Sequence, residues 1–411
     1  ERKKERKKER KMQFSGEIDD LLKGDGTGEE EVLRKSNLPL AHSLFLEGMR
    51  EEDMELVRNL VSSLKRGEIS GSFASARATA HLYCQIFENF QWKSTKDVMD
   101  IVRRLAVILG DAAPAELTIG NIARRTLRII RECYADARKA SINPEEMGKE
   151  KALSLKASAL IMEQGPSLAN MLGGDEDDFT QPFDIKDAVL DELEALADEI
   201  AVVYKDIAKQ ADAHINSNEV VLVLGHSSSV EGFLKAAAVN RRFKVLVAEG
   251  LPSGNGRYMA DRLSKAKIPT TLIPDSAIFA IMPRVNKVLS GVHCVMANGV
   301  LLALTGTHLV AMAAKQYSVP FVVLTGLYKL CPQYPYPADM DIYSSFRSPA
   351  ATLPYKSLPS ERGGTVKVPS PLYEYVPAEL VTLYISEQAH NPSFLYRLLS
   401  EYYHPEDYEL Q

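Results

Sequence analysis

The side chains that could do chemistry lie in short loops between apolar segments of the C-terminal half. The stretch GHSSSVEG, residues 225–232, places serines at a predicted helix start, where free backbone N–H groups and the helix dipole favour an anion. Serine is also a good helix N-cap, so capping is the alternative interpretation. From this loop we assign four residues to a candidate ligand pocket: Gly225, His226, Ser227 and Ser228.

Two further loops belong to the same candidate pocket. Glu249 ends an apolar segment, about where a ribose-binding acid lies in a dinucleotide fold, but the GxGxxG fingerprint is missing. The pair Asn298-Gly299 is typical of a tight turn, and Gly306-Thr307 precedes a predicted helix. Such a layout is common where a parallel sheet holds a small phosphorylated ligand.

A complete catalytic or metal-binding set is not evident in the sequence. His226 could act as a base for Ser228, and His293 could pair with Asp275, but no GxSxG nucleophile elbow occurs. The histidines lack metal-ligand spacing, and the scattered cysteines form no CxxC pair. We therefore predict no metal and no cofactor, with free buried thiols in a reducing compartment, the cytosol.

The loops require a scaffold of strands and helices. Apolar segments alternate with helical ones in the order EVVLVL, FKVLVAE, PTTLIP, GVHCVMA and PFVVLT. Strands that are apolar throughout predict a Rossmann-like, mostly parallel sheet with helices on both faces. Ligands of such sheets lie outside the carboxyl ends of the strands, where these loops begin.

The N-terminal half has a helical pattern instead. Segments such as DMELVRNLVSSLKRGEI and ELTIGNIARRTLRIIRECYADARKA repeat apolar residues at helical spacing. The predicted fold class is α/β with an N-terminal all-α domain, a helical bundle. Its predicted parts are a charged, flexible arm (1–43), a helical domain with a loop near 141–183 (44–212), and the Rossmann-like domain (213–411).

One helix of the bundle carries a cluster of arginines opposite its apolar stripe. Two interpretations stay open, a solvated basic face or a surface that docks an acidic protein partner. The candidate docking residues are Arg124, Arg125, Arg128 and Arg131.

Bulk composition excludes some classes of partner. The 411 residues are 45% hydrophobic and 25% charged, which is ordinary for a globular protein. A net charge of -6 argues against direct nucleic-acid binding. No apolar run approaches the roughly 20 residues that cross a bilayer, so no membrane contact is predicted.

Several long segments resemble a known family. NGVLLALTGTHLVAMAAK, RVNKVLSGVHCVMANG and ELTIGNIARRTLRIIRECY, in that family's order along the chain, are similar to the eukaryotic initiation factor 2B alpha/beta/delta family. That family is related to sugar-phosphate isomerases, including methylthioribose-1-phosphate isomerase. The resemblance covers roughly residues 54–410 and is densest from residue 218 onward.

The isomerase relatives imply a test for catalysis. Their catalytic Cys corresponds to Gly225 here, their catalytic Asp to His293, and their phosphate-site Asn-Lys pair to Ala303 and Leu304. Glycine cannot transfer a proton, and alanine and leucine cannot hold a phosphate by charge. The resemblance therefore implies that the shape of the site remains without its chemistry.

The family further implies a function and partners. The expectation is a non-catalytic regulatory subunit of the guanine-nucleotide exchange factor for initiation factor 2, which senses phosphorylation of its substrate. The implied partners are the alpha, gamma, delta and epsilon subunits of initiation factor 2B, and initiation factor 2 itself, chiefly its alpha subunit. The alternatives are an active sugar-phosphate isomerase and a metabolite-binding sensor that uses the vestigial pocket.

Apolar residues near the former pocket have two interpretations. They could pack against a sister subunit, or they could fill the former pocket internally. The C-terminal segment is rich in tyrosine, as interfaces often are, and core packing is its alternative. The candidate interface residues are Leu301, Leu302, Leu304, Tyr402 and Tyr403.

Overall fold

Amphipathic segments form the helices of the N-terminal half. In the helix that carries the arginines, Ile119, Ile122, Leu127, Ile130 and Tyr134 form the predicted apolar stripe, and all are buried. The helices are α1 (Glu51–Arg66), α2 (Ser72–Asn89), α3 (Thr95–Ala112), α4 (Thr118–Ser141), α5 (Lys186–Lys209) and the short α6 (Ala211–His214).

The computed structural model describes residues 49–90, 92, 94–141, 179, 183–335, 346–354 and 367–410. They fall within one compact unit, Met49–Gln411. The predicted arm at 1–43 and most of the predicted loop near 141–183 lie outside the described residues. The predicted division between residues 212 and 213 stays a prediction.

A seven-stranded sheet forms the second layer, in the order β10-β9-β7-β4-β1-β2-β3. All of its strand pairs are parallel except β10 with β9, so the predicted fold class is confirmed. Its strands are β1 (Val220–Leu224), β2 (Lys244–Ala248), β3 (Thr270–Ile273), β4 (Lys287–Gly291), β7 (Phe321–Leu324), β9 (Leu383–Ile385) and β10 (Ala389–His390). The helices between and after them are α7 (Ser228–Asn240), α8 (Gly256–Lys265), α9 (Ile278–Ile281), α10 (Thr307–Gln316) and α11 (Leu395–Tyr402).

The segment GVHCVMA, predicted as the fourth parallel strand, lies mostly outside the seven-stranded sheet. The parallel strand is β4, and Cys294–Val295 is β5 in a small antiparallel sheet with β6 (Leu301–Leu304) and β8 (Tyr373–Val376). The Asn298-Gly299 turn between β5 and β6 explains the difference. Such a short turn joins antiparallel strands, whereas parallel strands need a long crossover.

The C-terminal segment, which we define as residues 403–410, packs on the arginine-bearing face of α4. Asp407 is completely buried, and its carboxylate accepts from Arg103 Nη2 at 2.9 Å and from Arg131 Nε at 2.9 Å. Arg124 Nε donates to the Tyr408 carbonyl at 3.1 Å, and Arg128 Nη1 to the Tyr403 carbonyl at 3.2 Å.

The candidate docking residues are therefore not an open basic surface. Arg124 and Arg131 are buried, and the side chains of Arg125 and Arg128 are only about one-fifth exposed. Arg125 lies over the ring of Tyr402, 4.9 Å from its centroid. Both interpretations from the sequence assumed an exposed polar side of α4, and the end of the same chain covers much of that side; docking at this face stays a prediction.

We expect Asp407→Asn to lower the free energy of unfolding by at least about 1.5 kcal/mol, because it removes the buried charge that Arg103 and Arg131 share and leaves each only its more exposed carboxylate, Asp100 or Glu406. Urea denaturation at neutral pH measures this change. The control is Glu401→Gln, which removes an exposed pair with Arg397 on α11. It should cost less than about 0.5 kcal/mol. Equal effects of the two substitutions would contradict the assigned role of Asp407.

Candidate functional site

The loops after β1 and β2 approach each other closely at the carboxyl edge of the sheet. Gly225 and Gly250 both have positive φ, +62° and +69°, and a Cβ at Gly250 would lie 3.0 Å from the Gly225 Cα. A Cβ at Gly225 would lie 3.4 Å from Leu304 Cδ1, and one at Gly306 equally close to Leu224. The predicted pocket residues Gly225 and Gly306 are thus brought together, but apolar side chains fill the space between them.

The serines of the first loop neither cap nor line an open site. Ser227 is at the N-cap position of α7, yet its side chain makes no capping hydrogen bond. It occupies the space that a Cβ at Gly291 would need. Ser228 is exposed at the start of α7.

A buried carboxylate that sequence reasoning missed dominates the charge near this loop. Glu231, 5% exposed, is contacted by His226 Nε2 at 3.1 Å, Lys235 Nζ at 2.5 Å and Arg262 Nε at 2.6 Å. Burial alone would raise the pKa of Glu231, but the hydrogen bonds from these three side chains lower it to about 2. His226, considered from the sequence as a possible base for Ser228, contacts Glu231 instead.

The remaining acidic side chains of the loops also have partners within the chain. Glu249 pairs with Arg257 at 2.7 Å, and Asp275 accepts from the backbone N–H groups of Gly250 and Leu251 at 2.9 and 2.8 Å. Asp275 follows β3 and His293 follows β4, with β1 and β2 between these strands. At about 4.8 Å per strand this separates them by roughly 14 Å, so the predicted pair does not form.

The Asn298-Gly299 turn lies away from the other predicted pocket residues. It precedes β6, whereas Leu304, which contacts the Gly225 position, ends it. At about 3.3 Å per residue β6 separates them by at least about 10 Å. Asn298 Oδ1 accepts from the Val300 N–H, and the Gly299 carbonyl accepts from Tyr384 Oη at 2.7 Å.

The first turn of α10 is a natural anion site that the chain itself occupies. Thr307 Oγ1 donates to the Leu304 carbonyl at 2.6 Å, and the His308 N–H donates to Glu374 Oε1 on β8 at 2.7 Å. A carboxylate is favoured at a helix N-terminus for the same reasons as a ligand phosphate. Glu374 thus takes the position that a bound anion would take.

His293, and Lys329, which sequence reasoning missed, are buried close to contacts with the helical layer and the small sheet. His293 Nε2 contacts the Ala115 carbonyl at 2.9 Å, its ring stacks on Tyr373, and burial lowers its pKa. Lys329 Nζ donates to the Val292 carbonyl at 2.9 Å, and burial lowers its pKa to about 8. These contacts tie the loop after β4 to other parts of the same chain.

Two of the four cysteines are buried side by side. A hydrogen bond from Cys294 lowers the pKa of Cys331 to about 7, with a smaller contribution from the charge of Arg124. Cys84 and Cys133 are only partly buried, unlike the prediction of buried thiols throughout.

The candidate interface residues are mainly internal. Leu301 and Leu302 are at most 1% exposed within this chain, and Tyr403 is completely buried with its hydroxyl donating to the Leu330 carbonyl at 2.7 Å. Tyr402 is 8% exposed and Leu304 is partly buried. Four of the five therefore pack mainly inside this chain, and the assignment of these residues to a subunit interface stays a prediction.

Comparison with known proteins identifies proteins that are similar to this chain. A sequence model of the Initiation factor 2 subunit family matches residues 68–392. The translation initiation factor eIF2B subunit beta of Dictyostelium discoideum is 41% identical over 373 residues, covering 85% of this chain and 95% of that protein. The subunit of the same name from Schizosaccharomyces pombe is 34% identical over 389 residues, covering 87% and 98%.

The fold is also similar to that of a solved structure. A chain of the tetrameric eIF2B-beta2-delta2 complex from C. thermophilum superimposes with a TM-score of 0.62 at 26% identity, covering 85% of this chain and 95% of that one. A helical layer on a Rossmann-like sheet is thus a fold that this chain shares with a known class of translation factor subunit. The chain belongs to the initiation factor 2 subunit family. Segments such as YEYVPAELVTLYIS resemble its beta branch, and that prediction is confirmed.

The described residues contain no group of three or more His, Cys, Asp and Glu side chains placed to hold a metal ion. Within the same residues, no helix has the length and apolar character needed to span a membrane.

Glu231 should make the protein sensitive to acid. Because its folded pKa of about 2 lies below the ordinary 4.5, its stabilising contribution is present above pH 4.5. That contribution is lost as the pH falls from about 4.5 towards 2. We expect wild type to be more stable than Glu231→Gln at pH 7 and this difference to shrink between pH 5 and about pH 3. Urea midpoints measured across this range test it, and a constant difference would contradict it.

Removing the carboxylate at α10 should open an anion site. We expect Glu374→Ala to cost about 1 kcal/mol of stability, as the loss of a helix cap does. Inorganic phosphate should then raise the melting temperature of the variant but not that of wild type. Glu379→Ala, at an exposed carboxylate near Lys315, is the control and should show neither effect. Equal phosphate responses in all three proteins would refute the assignment.

Proposed function

We propose that this chain is a non-catalytic regulatory subunit of the guanine-nucleotide exchange factor for initiation factor 2, acting in the cytosol. The observation that carries the proposal is the closed carboxyl edge of the sheet. Leu304 packs against Gly225, and Glu374 binds the first turn of α10. A sugar-phosphate isomerase needs proton-transfer groups and an open phosphate site at this edge.

Assembly with other subunits has its own support. The related structure from C. thermophilum is a complex of beta and delta chains. In this chain, large apolar side chains are exposed on the sheet layer, among them Leu251, Tyr258, Leu272 and Phe279. Exposed apolar side chains of this size are typical of residues that a partner covers. We propose that the partners are the alpha, gamma, delta and epsilon subunits of initiation factor 2B.

Docking of the alpha subunit of initiation factor 2, and sensing of its phosphorylation, belong to the same proposal. The family resemblance supports this part, but the arginines of α4 are largely covered by the end of the same chain. Arg124 and Arg131 hold the C-terminal segment and are buried. Charge reversal at Arg131 should therefore destabilise the chain rather than selectively weaken the binding of the substrate.

Purification of the chain from its own cells at low salt, followed by native mass spectrometry, tests the proposal. We expect the chain in a hetero-oligomer with the other initiation factor 2B subunits. The purified complex should bind unphosphorylated and phosphorylated initiation factor 2 with different affinities, and it should not isomerise ribose-type phosphates. A lone homodimer, or turnover of such phosphates, would overturn the proposal and favour an isomerase or metabolite sensor.

A further inference from the structure

A cavity of about 330 Å³ lies between α3, the start of α4 and the end of the C-terminal segment. This volume is at the lower end of the range for small-molecule sites, about 300–1,000 Å³. Its walls are about equally polar and apolar, and the apolar part includes Ala106, Val107, Pro114, Leu117 and Leu410. The lining comes mainly from the helical layer, with Gln333 from the loop after β7, and Glu116 of the lining lies 3.4 Å from His293, which follows β4.

One wall of the cavity is the guanidinium-bearing side chain of Arg124, which is 2% exposed. Its neighbours on α4 each have a carboxylate within 4 Å: Arg125 and Arg128 have Glu132, and Arg131 has Asp407. Within the described residues, Arg124 has no such carboxylate. Its contacts are the neutral oxygens of Tyr408 and Asn121.

Among the residues that the structure describes, Arg124 has no carboxylate within 4 Å, so an anionic group placed directly on its guanidinium gains a charge-assisted contact, although the lining also carries the carboxylates of Asp111 and Glu116. A guanidinium matches the geometry of a carboxylate or a phosphate with paired hydrogen bonds. The first turn of α4, which reaches the cavity at Gly120, adds the positive end of a helix dipole. The carboxylates of Asp111 and Glu116 in the lining disfavour a ligand of high negative charge.

We propose that this cavity binds a small organic anion of low charge, with its acidic group on Arg124 and its apolar body against Val107, Leu117 and Leu410. The apolar walls select a ligand of about the size of one ring, and the buried guanidinium selects its charge. The proposal concerns the helical layer and is independent of the closed edge of the sheet.

Benzoate and its neutral isostere benzamide are matched probes for the site. We expect ligand-observed NMR on the full chain, alone and in its purified complex, to show saturable binding of benzoate. Benzamide should bind at least about tenfold more weakly, because it lacks the charge-assisted bond to Arg124. Equal binding of the two probes, or no saturable binding of benzoate, would overturn the proposal.

Two variants locate the binding within the cavity. A Cβ added at Gly110 on α3 meets nothing within 4 Å, so Gly110→Leu places an apolar side chain in the cavity and leaves Arg124 in the sequence. Gly110→Leu should abolish benzoate binding while the protein stays folded. Arg124→Gln should weaken it at least about tenfold.

The controls are matched to these variants. Ala188→Leu adds the same side chain at an exposed position of α5. Arg128→Gln removes another arginine of α4 that bonds carbonyls of the C-terminal part but lies outside the lining. Both controls should keep wild-type benzoate affinity. Retained binding in Gly110→Leu would refute the assignment even if Arg124→Gln failed to fold.

Discussion

The buried carboxylate of Asp407 is the constraint on which the arrangement of the two layers depends. It is completely buried and accepts from Arg103 on α3 and Arg131 on α4. The chain reaches Asp407 only after completing both sheets and α11. A buried ion pair adds little net stability compared with apolar packing, but it strongly disfavours arrangements that leave one charge unpaired. The two arginines therefore specify where the end of the chain lies on the helical layer.

The same reasoning explains the closed edge of the sheet. At the carboxyl edge of the sheet, carboxylates of the chain accept three sets of donors that could hold an anion. Asp275 binds the N–H groups of the loop after β2, Glu374 binds the first turn of α10, and Glu231 binds the side chains of His226, Lys235 and Arg262. These internal carboxylates satisfy the buried donors without a ligand. Donors that could bind an anionic ligand here bind carboxylates of the chain and so stabilise the fold.

The parallel sheet was predictable because its strands are buried on both faces and are therefore apolar throughout. The position of β4 was not, because KVLSG and GVHCVMA adjoin and are both apolar, and an apolar pattern does not show which of them pairs with β7 and which forms the short hairpin with β6. The arginines of α4 were correctly placed on one side of a helix. Periodicity does not reveal what covers that side, so Asp407 was missed although PEDYEL is visibly acidic.

The glycines of the first two loops explain why the shape of a ligand site outlasts its chemistry. At Gly250 a Cβ would lie 3.0 Å from the backbone of Gly225, and both residues have positive φ. Packing of backbone on backbone requires these glycines whether or not a ligand is present. Leu304, by contrast, is a side chain that can change without moving the backbone. A site of this kind can therefore lose its charged groups while its turns persist, so the turns alone are weak evidence of catalysis.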